Sequence, residues 1–175
     1  MLWGIFLLFC LLGTVQHFLY RPLGRPRCLE WLLPVSESPW EHCKLAFWPL
    51  GGALGTVTLL TGGTLPAFLG AWWAAAAHGL CTMLGIYYFY RAALGVPRPV
   101  LWADICNYYI TMFFGWRVGL RTLLSAPGWA YGLLAGLCLA AIALLFSTAA
   151  VLPPQKYPMF REETNHGRDQ RSGTS

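Results

Sequence analysis

The sequence predicts an all-α protein, a polytopic transmembrane helix bundle with about five spans. Three observations predict this class: 57% of the 175 residues are hydrophobic, only 11% are charged, and the mean hydropathy is +0.51. An ordinary soluble domain carries about 25% charged residues. A single domain of this size could not shield so much apolar surface from water. The polar tracts are also too short for a disordered chain, so both of these classes are excluded.

Five segments are long and apolar enough, or nearly so, to be spans, since a transmembrane helix needs about 20 apolar residues. The predicted spans run over about residues 2–20, 40–60, 65–90, 99–120 and 128–151. They form one transmembrane domain over residues 1–152, and a polar cytoplasmic tail follows over residues 153–175. Residues 21–39 could be partly re-entrant, which would change the number of spans by one.

The first span is expected to be retained in the mature protein. It lacks a preceding basic segment, and Tyr20-Arg21-Pro22 is a poor cleavage site for a signal peptidase. Its polar side chains near the C-terminal end include His17. We therefore treat residues 2–20 as part of the bundle.

Basic residues orient the bundle, because short cytoplasmic loops retain Lys and Arg. Ten of the twelve fall in the loops after the first and third spans, at the start of the second span, or in the tail, which all share one side. Arg117 and Arg121 fall on the other side. We expect the N-terminus outside and the tail in the cytoplasm. Topology thus explains the net charge of +5, and the expected partner is the lipid bilayer, with no nucleic acid.

The second span begins with a helix-start signal. Ser38, then Pro39, then Glu41 fits a capping box with proline at the first helical position. Glu41 and Lys44 are three residues apart and could pair on one helix face. Capping leaves the neighbouring residues Glu37 and His42 unexplained.

The fourth span carries an acidic residue inside the membrane. Asp104 lies about five residues into this span, roughly 8 Å deep, and Asn107 and Tyr108 follow on the same helix face. An acidic group at that depth must be paired, protonated or hydrated. Its nearest candidate partners come from three segments: His17 from the first span, His42 and Lys44 from the second, and Arg98 from the loop before the fourth. His78, nearer the middle of the third span, could complete the cluster or bond to a neighbouring carbonyl.

These residues suggest two kinds of chemistry. The candidate ligands for zinc or another divalent metal are His17, Glu37, His42 and Asp104. The candidate catalytic acid and base groups are Glu37, Glu41, His42 and Asp104. Neither a zinc-protease motif nor a phosphate-binding loop is present, so both hypotheses depend on the convergence of these residues at one depth.

The fifth span carries small residues at every fourth position. Gly128, Gly132 and Gly136 form this stripe, and Gly51 with Gly55 repeats it in the second span. Small stripes let helix backbones approach closely. The stripe therefore predicts helix packing in the bundle or a homodimer through Gly128, Gly132 and Gly136.

The motif around the second span resembles a family of small bacterial multi-pass membrane proteins that is defined only as a domain of unknown function. The matching residues are His17-Phe18-Leu19-Tyr20, and then Pro34-Val35-Ser36-Glu37-Ser38-Pro39-Trp40-Glu41-His42-Cys43-Lys44-Leu45. The family pattern reads H-F-x-Y and then P-V-N-E-S-x-W-E-H-x-K-L, so Ser36 departs from it. The resemblance implies an inner or plasma membrane location in a bacterium and supplies no activity.

Three functions remain open at this point. The first is a membrane-embedded hydrolase, metal-dependent or not, that acts on a lipid or an amide. The second is a small dimeric proton-coupled carrier in which Asp104 and the histidines relay protons. The third is a structural or partner-binding membrane protein in which the motif only begins the second helix.

Overall fold

The structure, a computed structural model, describes residues 1–20, 22–24, 27–36, 38–95 and 100–151. Within these residues the chain is all-helical, with five α-helices, a short 3₁₀ turn at Arg27–Leu29 and no strand. The helices are α1 (Leu2–Leu19), α2 (Pro39–Thr61), α3 (Leu65–Leu94), α4 (Leu101–Leu124) and α5 (Trp129–Val151). The all-α class is confirmed, and one helix occupies each of the five predicted segments. The predicted tail lies outside the described residues.

Local sequence signals set the helix boundaries. At the start of α2, Ser38 Oγ accepts a hydrogen bond from the Glu41 amide at 3.3 Å, and Pro39 takes the first helical position. The helix ends at Gly62, whose φ of 67° lies in the left-handed region that glycine adopts without strain. Thr64 then caps α3 by accepting from the Ala67 amide. This short connection makes α2 and α3 antiparallel neighbours.

Four of the helices in the described part of the chain, α1, α2, α3 and α5, are long and apolar enough to cross a membrane. These lengths are consistent with an integral membrane protein. The remaining helix, α4, has 24 residues, but polar side chains lower its hydropathy. Its exposed residues include large apolar side chains, and Trp102 and Phe114 are 74% and 48% exposed. Arg117 and Arg121, in its C-terminal half, are exposed too.

The second helix lies at the centre of the bundle, since α2 contacts each of the other four helices. Its side chains Leu50 and Leu54 are fully buried. They pack onto Gly115 and Gly119 of α4, where an added Cβ would lie 2.7 Å and 2.6 Å from the two leucine Cδ1 atoms. The glycines therefore let α4 approach α2 closely enough for the leucines to fill the space between the helices.

The glycine stripe of α5 packs largely within the chain. Gly132 is buried, and a Cβ added there would lie 2.5 Å from the Cβ of Pro66 in α3. Gly136 faces Leu69 of α3, whereas Gly128 has open space around it. The stripe thus serves the α3–α5 contact, and a homodimer through it stays a prediction.

Candidate functional site

Polar side chains concentrate at one end of the bundle, which we name the loop end. The loop end comprises the last turns of α1 and α3, the first turns of α2 and α4, and residues 27–36 of the connecting segment. The C-terminal half of α5 reaches it too, because Phe146 is buried against Trp40 and Phe47 with ring centroids 5.0 Å and 5.2 Å apart. Helices that alternate in direction bring these chain segments to the same level.

A buried ion pair lies in the first two turns of α2. Lys44 Nζ is 2.7 Å from Glu41 Oε2, and the two residues are 0% and 3% exposed. Lys44 also donates to the carbonyl of Glu30 at 2.6 Å, while Glu41 Oε2 accepts from the amide of Val35 at 2.9 Å. The predicted i,i+3 pairing is therefore present. The pair holds the connecting segment onto α2, and Glu41 bonds to Val35 rather than closing the capping box on Ser38.

His42, the residue after Glu41, lies on a different side of α2. Its Nδ1 is 2.9 Å from the carbonyl oxygen of Ser38. A carbonyl oxygen can only accept, so Nδ1 carries a proton in this bond. The ring of His17 lies next to it, with centroids 5.3 Å apart. The last turn of α1 thus contacts the histidine of α2.

A cavity of about 90 Å³ opens beside His42, between α2, α3 and α4. Its polar lining comes from all three helices and consists of His42, Tyr87, Asp104, Asn107 and Tyr108. Its apolar lining consists of Pro39, Leu45, Met83 and Leu84. This volume is well below the roughly 300–1,000 Å³ of a site for a drug-sized ligand, so the cavity suits a few water molecules or one small polar group. We refer to it below as the loop-end pocket.

Asp104 reaches the loop-end pocket from the first turn of α4. The hydroxyl of Tyr90, near the end of α3, donates to Asp104 Oδ1 at 2.7 Å. The same hydroxyl oxygen accepts from the amide of Val100 at 3.5 Å. Tyr90 therefore connects the end of α3 to the start of α4 and orients the carboxylate.

The polar face of α4 continues from Asp104 into the bundle. Asn107 Nδ2 donates to the carbonyl of Met83 at 2.8 Å, and the Tyr108 hydroxyl donates to the carbonyl of Cys10 at 2.8 Å. Thr111, one turn further, is fully buried and its hydroxyl is 3.4 Å from Asn107 Oδ1. These bonds tie α4 to α3 and α1 and fix the rotation of α4, which turns Asp104 towards the pocket.

The last turn of α3 adds a cation next to the pocket. Arg91 Nη1 donates to the Tyr87 hydroxyl at 2.6 Å, and its guanidinium lies 5.3 Å from the centre of the Tyr87 ring. Arg91, Tyr87 and Tyr90 are not among the site residues that the sequence predicts. The spacing of Tyr87 and Arg91, one helical turn apart, was the available signal.

The structure brings together some of the predicted site residues. His42 and Asp104 share the pocket wall, and His17 lies beside His42. Lys44, one expected partner of Asp104, instead pairs with Glu41. His78 is exposed on α3, with its ring 6.3 Å from that of Phe114.

The predicted metal set is only partly covered by the structure. Glu37, a candidate ligand and a candidate catalytic group, lies outside the described residues, as does Arg98. Among the residues that are described, no three His, Cys, Asp or Glu side chains are grouped as a metal ion would require. The described residues thus supply two candidate donors in the pocket wall, His42 and Asp104, with the His17 ring alongside.

Comparison with known proteins identifies the family. The chain belongs to a family of unknown function, DUF6512, whose model matches residues 1–168. The expected membership of a family with no assigned function is thereby confirmed. No curated protein and no solved structure matches the chain.

Proposed function

We propose that this protein is an integral membrane enzyme that carries out acid–base chemistry on a small polar group in the loop-end pocket. The observation that carries the proposal is the convergence of His42 and Asp104, from two different helices, on one cavity. An ionisable residue within a membrane helix is costly, so its presence favours a functional role. Hydrolysis of a lipid ester or amide is the reaction class that fits such a site.

His42 is arranged as a base. With its proton on Nδ1, which faces the Ser38 carbonyl, the ring can accept a proton at Nε2 from a water molecule as the water attacks a carbonyl carbon. The backbone bond holds the tautomer during this step. The protonated ring then returns this proton to the leaving oxygen or nitrogen, and the Asp104 carboxylate, oriented by Tyr90, stabilises the positive charge while it lasts.

The buried pair has a positioning role in this proposal. Glu41 is a candidate base by sequence, but its carboxylate is enclosed and bonded to Lys44 and Val35. The pair fixes the segment that precedes α2, and with it the first turn that carries His42.

A divalent metal such as zinc is compatible with part of the donor set. His42 and Asp104 would hold it, with His17 and Glu37 as the further candidates, and the ion would supply an activated water. Elemental analysis of the purified protein, compared with the His42→Ala variant, measures this directly. A stoichiometric metal that is lost with His42 would assign the ion to the pocket.

A second candidate function is a proton-coupled carrier, which one observation favours. Polar side chains continue inward along α4 from Asp104 through Asn107 to Thr111, and Asn107 and Thr111 are 3% and 0% exposed. Such a line of polar groups is a feature of proton pathways. If the protein is a carrier, it takes up its solute into sealed vesicles when a proton gradient is applied, Asp104→Asn abolishes this uptake, and no lipid is consumed.

The test of the enzyme proposal is lipid turnover in reconstituted vesicles. The wild-type chain is incubated in vesicles of a bacterial lipid extract, and the lipid species are followed by mass spectrometry. We expect a species to disappear, at a rate that falls by about 10²–10⁴-fold in His42→Ala and Asp104→Asn. His78→Ala, which changes an exposed histidine on α3, is the matched control and retains the rate. Identical lipid profiles for all four proteins would overturn the proposal.

A further inference from the structure

We propose that Arg117 and Arg121 of α4 bind the phosphate group of an anionic phospholipid, at the opposite end of the bundle from the loop-end pocket. We name this end the far end. It comprises the last turn of α2, residues 117–124 of α4, and the first turns of α1, α3 and α5. The site is separate from the pocket, so the inference does not depend on the proposed enzyme function.

The two arginines share the outward side of α4. They are four residues apart, so their Cβ atoms lie about 6 Å from each other on adjacent turns, and both residues are exposed. The opposite side of this part of the helix packs into the bundle through Trp116 and Gly119, which are buried. Both guanidinium groups can therefore reach one ligand that approaches from outside the bundle.

No carboxylate in the described part of the chain lies near these charges. The described carboxylate side chains are those of Glu30, Glu41 and Asp104, and all three lie at the loop end. Asp104, on the same helix, is 13 residues from Arg117, which is about 20 Å along the helix axis. Within the described residues, the far end is therefore a region of uncompensated positive charge.

Exposed tryptophans at the far end indicate the level of the lipid headgroups. Trp3, in the first turn of α1, is exposed and stacks on Phe113 with ring centroids 6.4 Å apart. Trp129, the first residue of α5, is exposed too. Such tryptophans mark the interface between the hydrocarbon core and water. Arg117 and Arg121 follow Phe113 by one and two turns, so they extend from this interface into the headgroup layer.

The chemistry of the two side chains selects a phosphate. A guanidinium presents five donors in a planar fork that matches the oxygens of phosphate. Two guanidinium groups on adjacent turns can bond to the two unesterified oxygens of one phosphodiester. Because the pair carries two positive charges, it favours a headgroup with a net negative charge, such as phosphoglycerol. A zwitterionic headgroup is disfavoured, since the same charges repel its ammonium group.

The experiment is a titration of the full chain in detergent with phosphatidylglycerol and phosphatidylcholine of identical acyl chains, followed by native mass spectrometry. We expect phosphatidylglycerol to bind about tenfold more tightly. Each arginine near anionic headgroups contributes about fivefold in affinity, so Arg117→Gln and Arg121→Gln should each weaken phosphatidylglycerol binding by about that factor. The double variant should bind both lipids equally. Equal affinity of the wild-type chain for the two lipids would overturn the inference.

Matched variants separate the site from net charge and from misfolding. Arg27→Gln removes the same charge at the loop end and should change phosphatidylglycerol binding by less than about twofold. Arg117→Lys with Arg121→Lys keeps both charges and should keep the preference for phosphatidylglycerol. Equal losses in Arg27→Gln and Arg117→Gln, or a preference that survives in the double glutamine variant, would overturn the inference.

Competition with a soluble compound tests the source of the phosphate. Glycerol 3-phosphate has the same phosphate chemistry and no acyl chain, and we expect that an excess of about 100-fold does not displace phosphatidylglycerol. Displacement would assign the site to a soluble phosphate compound and would overturn the lipid assignment.

Discussion

Two polar clusters share the start of α2 and differ in almost every physical respect. Glu41 and Lys44 are enclosed in the protein and satisfied by each other and by backbone groups of residues 30 and 35. His42, adjacent to Glu41 in sequence, lines a cavity that it shares with Asp104. Successive residues of a helix point about 100° apart, so one turn serves both an enclosed cluster and an open one.

Glu41 and Lys44 position a chain segment, whereas His42 and Asp104 line the cavity in which we propose the chemistry. Removing two charges from water costs several kcal/mol per ion, and their attraction offsets this cost only with good geometry. The enclosed pair has such geometry and fixes a chain segment. The open cluster lines a cavity of about 90 Å³.

The largest expected effect comes from breaking the enclosed pair. Glu41→Ala leaves the fully buried Lys44 ammonium without its carboxylate, and we expect the free energy of unfolding to fall by about 3–5 kcal/mol. The measurement is unfolding by SDS in mixed micelles, followed by circular dichroism.

The control removes both charges together. Glu41→Leu with Lys44→Met leaves no uncompensated ion, and we expect it to lose less stability than Glu41→Ala, because only the bonds to the Val35 amide and the Glu30 carbonyl are lost. A double variant as unstable as Glu41→Ala would contradict this prediction, because the pair would then contribute more than charge compensation.

A smaller effect on stability and a selective effect on function are expected at Tyr90. Tyr90→Phe removes the hydroxyl that donates to Asp104, which costs about 0.5–1.5 kcal/mol. Because Asp104 loses its orientation, we expect kcat for lipid turnover to fall by about tenfold. Tyr131→Phe, on α5 and away from the pocket, is the control. Equal kcat for both variants would argue against Tyr90 as a positioning residue.

Local features of the loop end were predictable from the sequence. The start of α2 follows from Ser38 and Pro39, and the Glu41–Lys44 pair follows from a spacing of three residues on a helix. The helix positions follow from the length of each apolar run. These features depend on residues within one or two turns of each other, so a single sequence determines them.

Features that depend on packing between helices were not predictable in the same way. The partner of Asp104 is Tyr90, because the rotation of α4 is set by the bonds that Asn107 and Tyr108 make to Met83 and Cys10. The spacing of Asp104, Asn107 and Tyr108 predicts that they share one face of α4, but it does not identify the residues of the other helices that this face meets. His78 has the same polarity as His42 but lies on the outer face of α3.

The spacing of glycines in α4 and α5 predicts close helix packing, but it does not predict which helices are in contact. Gly115 and Gly119 have the same spacing as the stripe of α5, and they form the close contact between α4 and the centre of the bundle. Spacing identifies a face suited to close approach. It does not identify the neighbouring helix, which is α2 for Gly115 and α3 for Gly132.

The smallest expected effect is at Ser38, which contacts both clusters through different atoms. Its Oγ caps the Glu41 amide, and its carbonyl oxygen faces His42 Nδ1. Ser38→Ala removes only the first contact, so we expect a loss of about 1 kcal/mol in the free energy of unfolding. The His42 tautomer should stay unchanged, because its bond is to the backbone.

The ¹⁵N chemical shifts of His42 report that tautomer, and SDS unfolding reports the stability. Ser36→Ala, at a serine two residues earlier, is the control and should change stability by less than about 0.5 kcal/mol. A shift of the proton from Nδ1 to Nε2 in Ser38→Ala would show that the cap and the His42 bond are coupled. The enclosed and open clusters would then be energetically coupled, and the two clusters at this turn would not have separate structural and functional roles.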